Sequence, residues 1–492
     1  MNSSIDRRGF LKMLSAGVAA TALPQFAFAG AENRKLNVLF IAVDDLRPEL
    51  GCYGHPLAKT PHIDKLASEG FRFTRTYCQQ AVCAPSRISL LSGCRPDTTG
   101  VYDLKTTLRK AMPDVLSLPQ HFKNNGYTTI TLGKIYHHYG DDKIGWSEIP
   151  PIRGSMYCLE DNRKLIEKRR AEALAKGLTG FKKKVYTRAR ATEAADVPDN
   201  GYYDGCIADD AIKMLRKNKD TPFFLAAGFS KPHLPFNSPK KYWELYDRAK
   251  IPVPNRTKPT GAPSYAFTNW GELRYYTDIP KTGELNDAKT RELIHGYLAS
   301  VSYVDAQIGR VLKELNDLGL SRNTVVILWG DHGWKLGEFG AWCKHTNFEL
   351  DTRVPMILRA PGHDGGKACS ALTEFVDIYP TLSELCGLTI PSHCEGTSMV
   401  PLLKNPGRKW KSAAFSQYPR GKIMGYSMRT ERWRYTEWRQ RGGKKKLVAR
   451  ELYDHRKSPI AGVNLAKNRK YKPVLNKLSK AMKAGWKAAR PE

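Results

Sequence analysis

Residues 36–45 read LNVLFIAVDD: a short run of large and β-branched side chains that passes without a turn signal into two aspartates. Three other runs share this form: YTTITL (127–132), PFFLAAGF (222–229) and NTVVILWG (323–330). Continuous apolar runs of this length predict strands buried on both faces of a parallel sheet. Each is followed by chemistry. The first leads to Asp44 and Asp45, the second to Lys134 and His137, the third to Lys231-Pro232-His233, and the fourth to Asp331-His332-Gly333. In open α/β sheets ligands bind outside the carboxyl ends of the strands. One polar residue after a strand caps a helix or satisfies a turn, whereas four such clusters at one edge predict a site.

Residues 291–320 place Ile294, Leu298, Val301, Val304, Ile308, Val311, Leu312 and Leu315 on one helical face, and the pattern stops at Gly319. The fold expected is α/β, a large mixed but mostly parallel sheet sandwiched by helices. Residues 155–200, rich in Lys and Arg, read as an exposed insertion, and 264–280 as a loop rich in aromatics. From about Pro401 the pattern changes: 423–439 alternates like an antiparallel hairpin, and 470–489 forms a lysine-rich helical tail. The organisation expected is an export signal at 1–29, a catalytic domain at 30–400, and a small C-terminal α+β subdomain with an antiparallel sheet at 401–492.

The chain has 79 Lys and Arg against 48 Asp and Glu, a net charge of +31, which favours anionic partners. Arg7-Arg8, the apolar run that follows, and Ala27-Phe28-Ala29 have the layout of a cleavable twin-arginine signal. Its removal takes away Arg7, Arg8, Lys12 and Asp6, so +31 becomes +29. A periplasmic or extracellular destination argues against nucleic acid as ligand, and no later segment is apolar enough to span a membrane. The lysine runs at 182–184 and 444–446 are solvated faces, or guides for an anionic polymer. The ten cysteines show no CxxC pair, and an exported protein can pair some as disulfides.

One cysteine stands out. AVCAPSRISLLSG (81–93) suits a short helix with Pro85 at its start and Gly93 at its end. Cys83 then sits at a helix N-terminus, with Arg87 one turn further on the same face. A buried structural thiol, a disulfide partner and a thiolate nucleophile remain open on that observation, although no Cys-His-Asn set accompanies it.

CAPSR continuing into ISLLSG resembles the signature of type I sulfatases, members of the alkaline-phosphatase-like superfamily. LGKIYHH, FSKPHLPF, GDHGWKLGEFGAWCKHTNFE, TRVPMILRAPG and ELYDHRKSP resemble further blocks of that family, in wording closest to its iduronate-2-sulfatase branch. The resemblance implies that Cys83 is converted to Cα-formylglycine by a formylglycine-generating enzyme, and that one Ca²⁺ is bound. Asp44, Asp45 and Asp331 offer the hard oxygen ligands such an ion takes, and the resemblance adds Cys83 and His332. His332 stands where many sulfatases carry Asn, but its branch carries His.

By resemblance, a gem-diol hydroxyl on the modified residue, held by Arg87, attacks sulfur. Lys134 and Lys344 bind sulfate oxygens, His233 is the general acid, and His137 assists at residue 83. His345 is a structural or substrate contact; His55, His62 and His138 read as surface or turn residues. The expected substrate is a sulfated oligo- or polysaccharide, first a 2-O-sulfated iduronate, then other sulfated uronic acids, algal ones included. A phosphoester or phosphonate hydrolase of the same superfamily, and a catalytically silent polyanion-binding protein, are the alternatives.

Overall fold

A computed structural model describes residues 35–442 and 446–491. The export signal expected at 1–29 and two lysines of the 444–446 run lie outside the described residues. The central sheet is built from β1 (Asn37–Val43), β2 (Phe71–Tyr77), β3 (Thr128–Gly133), β4 (Phe223–Phe229), β5 (Thr324–Gly330), β6 (Arg353–Arg359), β7 (Lys367–Cys369) and β8 (Thr373–Glu374). Its order is β7-β2-β6-β5-β1-β4-β3, with β8 also pairing with β2. β6 runs antiparallel to β2 and β5, and the remaining pairings are parallel. The four apolar runs are thus four neighbouring strands, with β1 central and Val38 opposite both Phe224 and Val325.

Alternate residues of β1 face two different cores. Leu39, Ile41 and Val43 pack with Val301, Val304 and Ile308 on one side. Val38, Phe40 and Ala42 pack with Ile88, Leu90 and Leu91 on the other. The helices concerned are α1 (Cys83–Ser92), which covers one face, and the long α2 (Asp287–Asp317), which covers the opposite one. Burial on both faces is why these strands read as continuous apolar runs.

The C-terminal region forms a second sheet, an antiparallel meander of β9 (Ala414–Arg420), β10 (Ile423–Arg429), β11 (Trp433–Gln440) and β12 (Leu447–Asp454). Leu475 and Leu478 of α3 (Lys472–Ala484) pack on Met428, Tyr435 and Leu452 of this sheet. The sheet is tied to the body built on the central sheet by backbone and charge: Gln417 N–H donates to Gln79 O at 2.7 Å, and Glu349 accepts from Arg434 at 2.6 Å. Between 155 and 200, helices Glu160–Ala175 and Gly180–Tyr186 lie largely exposed, as the composition predicts. Among the described residues no helix is long and apolar enough to cross a membrane.

Candidate active site

The site forms where β1 and β5 end side by side. Asp44 N–H donates to Phe229 O at 3.1 Å and Asp331 N–H to Val43 O at 3.2 Å, so the backbone ladder fixes both residues. Asp45 takes a left-handed conformation with φ 60, unusual for a residue with a Cβ. That turn lets its N–H donate to Asp331 Oδ1 at 2.9 Å, while its carbonyl accepts from Tyr297 Oη at 2.9 Å. On the next strand Gly228 makes room for the chain after β3: a Cβ there would meet Lys134 O at 2.3 Å.

Cys83 is the first residue of α1, and all ten residues of this helix are buried. Pro85 is therefore its third residue rather than its first. It forfeits nothing there, because the first bond of the helix is Ser86 N–H to Val82 O at 3.1 Å. Gly93, with φ 71, ends the helix as expected. The Cys83 Sγ lies 3.3 Å from His332 Nε2, and 3.7 Å from both Asp44 Oδ1 and Lys134 Nζ. Arg87 donates from Nε to Asp331 Oδ2 at 2.9 Å and from Nη2 to Asp44 Oδ1 at 3.0 Å. Lys134 takes the other oxygen of Asp44, and Lys344 Nζ sits 3.0 and 3.1 Å from the two oxygens of Asp45.

His332 Nδ1 lies 3.0 Å from Gly333 O, so it carries the proton and Nε2 turns its lone pair inward. That nitrogen is 3.4 Å from Asp45 and 3.5 Å from Asp331. His233 approaches Asp45 at 3.9 Å and bonds to Glu272 at 3.0 Å. His137 stands beside this group, its ring against His138 at 4.9 Å and its buried Nδ1 without a hydrogen-bond partner.

Burial, opposed by Lys344 and reinforced by Asp44, pushes the Asp45 carboxyl up to about 7. Burial acts on Asp44 too, but Lys134, His233 and Arg87 together outweigh it and hold that carboxyl well below the usual range. Burial raises the Cys83 thiol well above its ordinary value despite Lys134 and Lys344, so the unmodified side chain is a thiol rather than a thiolate. Burial and the Lys134 charge take His137 down to about 3, and burial and Lys344 do the same to His345.

Three fully buried carboxylates facing one imidazole lone pair and one sulfur make a donor set for a divalent cation. The ligand atoms of Asp44, Asp45, Cys83 and His233 converge within 4.8 Å, as do those of Cys83, Asp331 and His332. The residues present fit an oxygen-preferring ion.

Glu272 escaped the sequence reading. It joins His233 to Lys344, bonding the latter at 2.9 Å. Its one-turn helix, Gly271–Arg274, lies in the aromatic loop, and only the folding of that loop over the sheet edge brings it to the site. Of the other histidines, His55 pairs with Glu49, His62 N–H lies 3.3 Å from Asp305 Oδ2, and His138 bonds to Leu104 O at 2.8 Å. All ten cysteines are unpaired.

A family model described as Sulfatase matches residues 36–388, and one described as N-sulphoglucosamine sulphohydrolase, C-terminal, matches residues 337–487. The chain belongs to the sulfatase family and is a sulfuric ester hydrolase. Within that family it is similar to the iduronate 2-sulfatases of Mus musculus and Homo sapiens, at 35% and 36% identity. Those matches cover 86% and 83% of this chain and 88% and 86% of theirs. A protein solved in complex with its substrate, D-glucosamine-2-N,6-O-disulfate, shares the fold at TM-score 0.74 and 23% identity, over 92% of this chain and 98% of that one.

Proposed function

We propose that the chain removes an O-sulfate from a sulfated carbohydrate, first among candidates the 2-O-sulfate of an iduronate or related uronic acid. The observation that carries this reading is the setting of Cys83, at the buried start of α1 within 3.7 Å of His332, Asp44 and Lys134. Similarity to iduronate 2-sulfatases supports the sugar, and the surplus of positive charge supports a polyanionic substrate.

Converted to Cα-formylglycine, residue 83 supplies an oxygen nucleophile that can later collapse to a carbonyl, and Ca²⁺ held by Asp44, Asp45, Asp331, His332 and residue 83 supplies positive charge. The burial that keeps Cys83 protonated makes the unmodified thiol a poor nucleophile and favours the modified form in this role. Arg87, anchored on Asp44 and Asp331, holds residue 83 in line from one turn away. Lys134 and Lys344 place two ammonium groups where sulfate oxygens enter and meet the charge that grows during transfer. His233 delivers a proton to the departing sugar oxygen, and Glu272 orients its Nε2 while steadying Lys344. His137, kept neutral by burial, assists at residue 83.

Export through the signal at 1–29 places the enzyme in the periplasm or outside the cell, after modification by a formylglycine-generating enzyme. The 30–400 region then carries the chemistry, and 401–492 supplies the second sheet. The test is sulfate release from defined sulfated disaccharides and algal oligosaccharides, by protein co-produced with that modifying enzyme. Release confined to 2-O-sulfated uronic acids, and lost in Cys83→Ala, supports the reading. Cleavage at another position keeps the chemistry and overturns the sugar. No release from protein whose residue 83 is formylglycine by mass spectrometry overturns both.

A further inference from the structure

A cavity of about 600 Å³ lies between the tips of the C-terminal sheet and the segment after α1. Its walls include Asp97, Tyr102, Lys422, Tyr426, Gln440 and Arg441. Two contacts tie it to the active site. Gln80, three residues before Cys83, donates to Tyr102 O at 2.9 Å. Arg420, beside the cavity's Gly421, donates to the carbonyl of His345, the neighbour of Lys344.

Its polar groups have distinct roles. The Asp97 carboxylate is filled by three donors, Gln417 at 2.7 Å, Tyr102 at 2.9 Å and Tyr426 at 3.0 Å. It therefore pins two aromatic rings instead of presenting an open negative charge. The Arg441 guanidinium lies over the Tyr102 ring at 4.8 Å, and its planar fork is of the kind that takes a carboxylate or sulfate. Lys422, on the β9–β10 turn, adds a second exposed cation on the adjoining tip. Ring faces with two cations at the rim suit a pyranose bearing a negative group, and the volume is that of a small-ligand pocket.

We propose that this cavity is the subsite for the sugar next to the one desulfated, and that Lys422 and Arg441 select a sulfate or carboxylate on that neighbour. The inference rests on the carbohydrate-sulfatase reading above. It is tested by binding, which does not depend on turnover. The probes are two disaccharides with the same 2-O-sulfated uronic acid, one joined to N-sulfated and the other to N-acetylated glucosamine. Calorimetry with full-length Cys83→Ala is expected to give a Kd about tenfold lower for the N-sulfated probe. Adding Lys422→Ala and Arg441→Ala, both at exposed positions, is expected to erase that ratio while the weaker probe binds as before. Equal affinity for the two probes in Cys83→Ala, or a ratio that survives in the triple variant, overturns the proposal. A ratio that behaves as expected, beside an active enzyme that releases no sulfate from either probe, leaves the subsite standing and overturns the sugar assigned to the active site.

Discussion

Two buried charge clusters invite comparison. In one, Glu374 receives Arg95 through both guanidinium nitrogens at 2.7 and 2.8 Å, Lys411 at 2.8 Å, and the Phe415 N–H at 2.8 Å. Asp377 beside it takes Lys411 at 2.5 Å, the Thr397 N–H at 2.8 Å and the Glu374 N–H at 2.9 Å. The other cluster is the candidate active site. Each holds a carboxylate pair in which one member is lowered by neighbouring cations and the other raised by burial. Split titration therefore does not tell a site from a joint. The difference lies in the donors: the joint is closed by bidentate arginine and backbone N–H groups, which lock geometry. In the site, Arg87 is spread over two carboxylates, Asp44 and Asp331, Lys134 and Lys344 hold Asp44 and Asp45 by single ammonium groups, and a thiol and an imidazole lone pair face the same centre.

This comparison makes the first cluster structural and the second chemical, and substitutions can break it. Cys83→Ala is expected to abolish sulfate release, a loss of about a thousandfold or more, while the thermal midpoint barely moves; a calorimetric scan beside the assay checks both. Asp331→Asn should reduce turnover by about a hundredfold or more, and added Ca²⁺ should not restore it, whereas enzyme stripped by chelation should recover with Ca²⁺. Glu374→Ala, which leaves Arg95 and Lys411 buried without their shared anion, should cost about 3–5 kcal/mol of stability. Denaturant titration reads that loss, and the folded fraction should keep its turnover number. If that fraction is inactive, the division between site and joint fails.

Smaller effects sharpen the contrast. Glu272→Gln is expected to lower kcat on a sugar sulfate by about ten- to a hundredfold. An aryl sulfate, whose leaving group needs no proton, should suffer less, so equal losses on both would remove His233 as the group Glu272 serves. The smallest effect concerns His455, which lies against Glu349, Arg434 and Arg429 at the second sheet. Burial takes its imidazole down to about 4, against the pull of Glu349. Its Nε2 lies 3.9 Å from the Glu349 carboxylate, too far for a hydrogen bond. The unfolded chain then binds a proton that the folded one refuses, so stability is full above pH ~6.5 and falls toward about 4, by at most about 1.4 kcal/mol per pH unit. His455→Gln should flatten that slope in pH-dependent melting, and an unchanged slope would assign it elsewhere.

Much of this arrangement was legible in the chain. Strands β1, β3, β4 and β5 begin and end within one residue of the runs read from their composition, because burial on both faces keeps charged side chains out of them. β2, FRFTRTY, has buried ends but carries Arg72, Thr74 and Arg75, only half-buried, between them, and no such run marks it. The residues after the four strands could be named because a parallel sheet delivers all its carboxyl ends to one edge. Glu272 could not, because nothing local distinguishes an acid in an aromatic loop from a solvated one.

The sequence by itself thus determined the α/β class, the family and the residues gathered around Cys83, since these follow from local periodicity and from motifs at fixed spacing. The tertiary structure decided which cation meets which carboxylate, that Glu272 bridges His233 and Lys344, and that Tyr102 and Arg441 share a cavity. The reason is physical: these contacts join residues dozens to hundreds of positions apart, and their distances are set by how loops and the second sheet close over the edge.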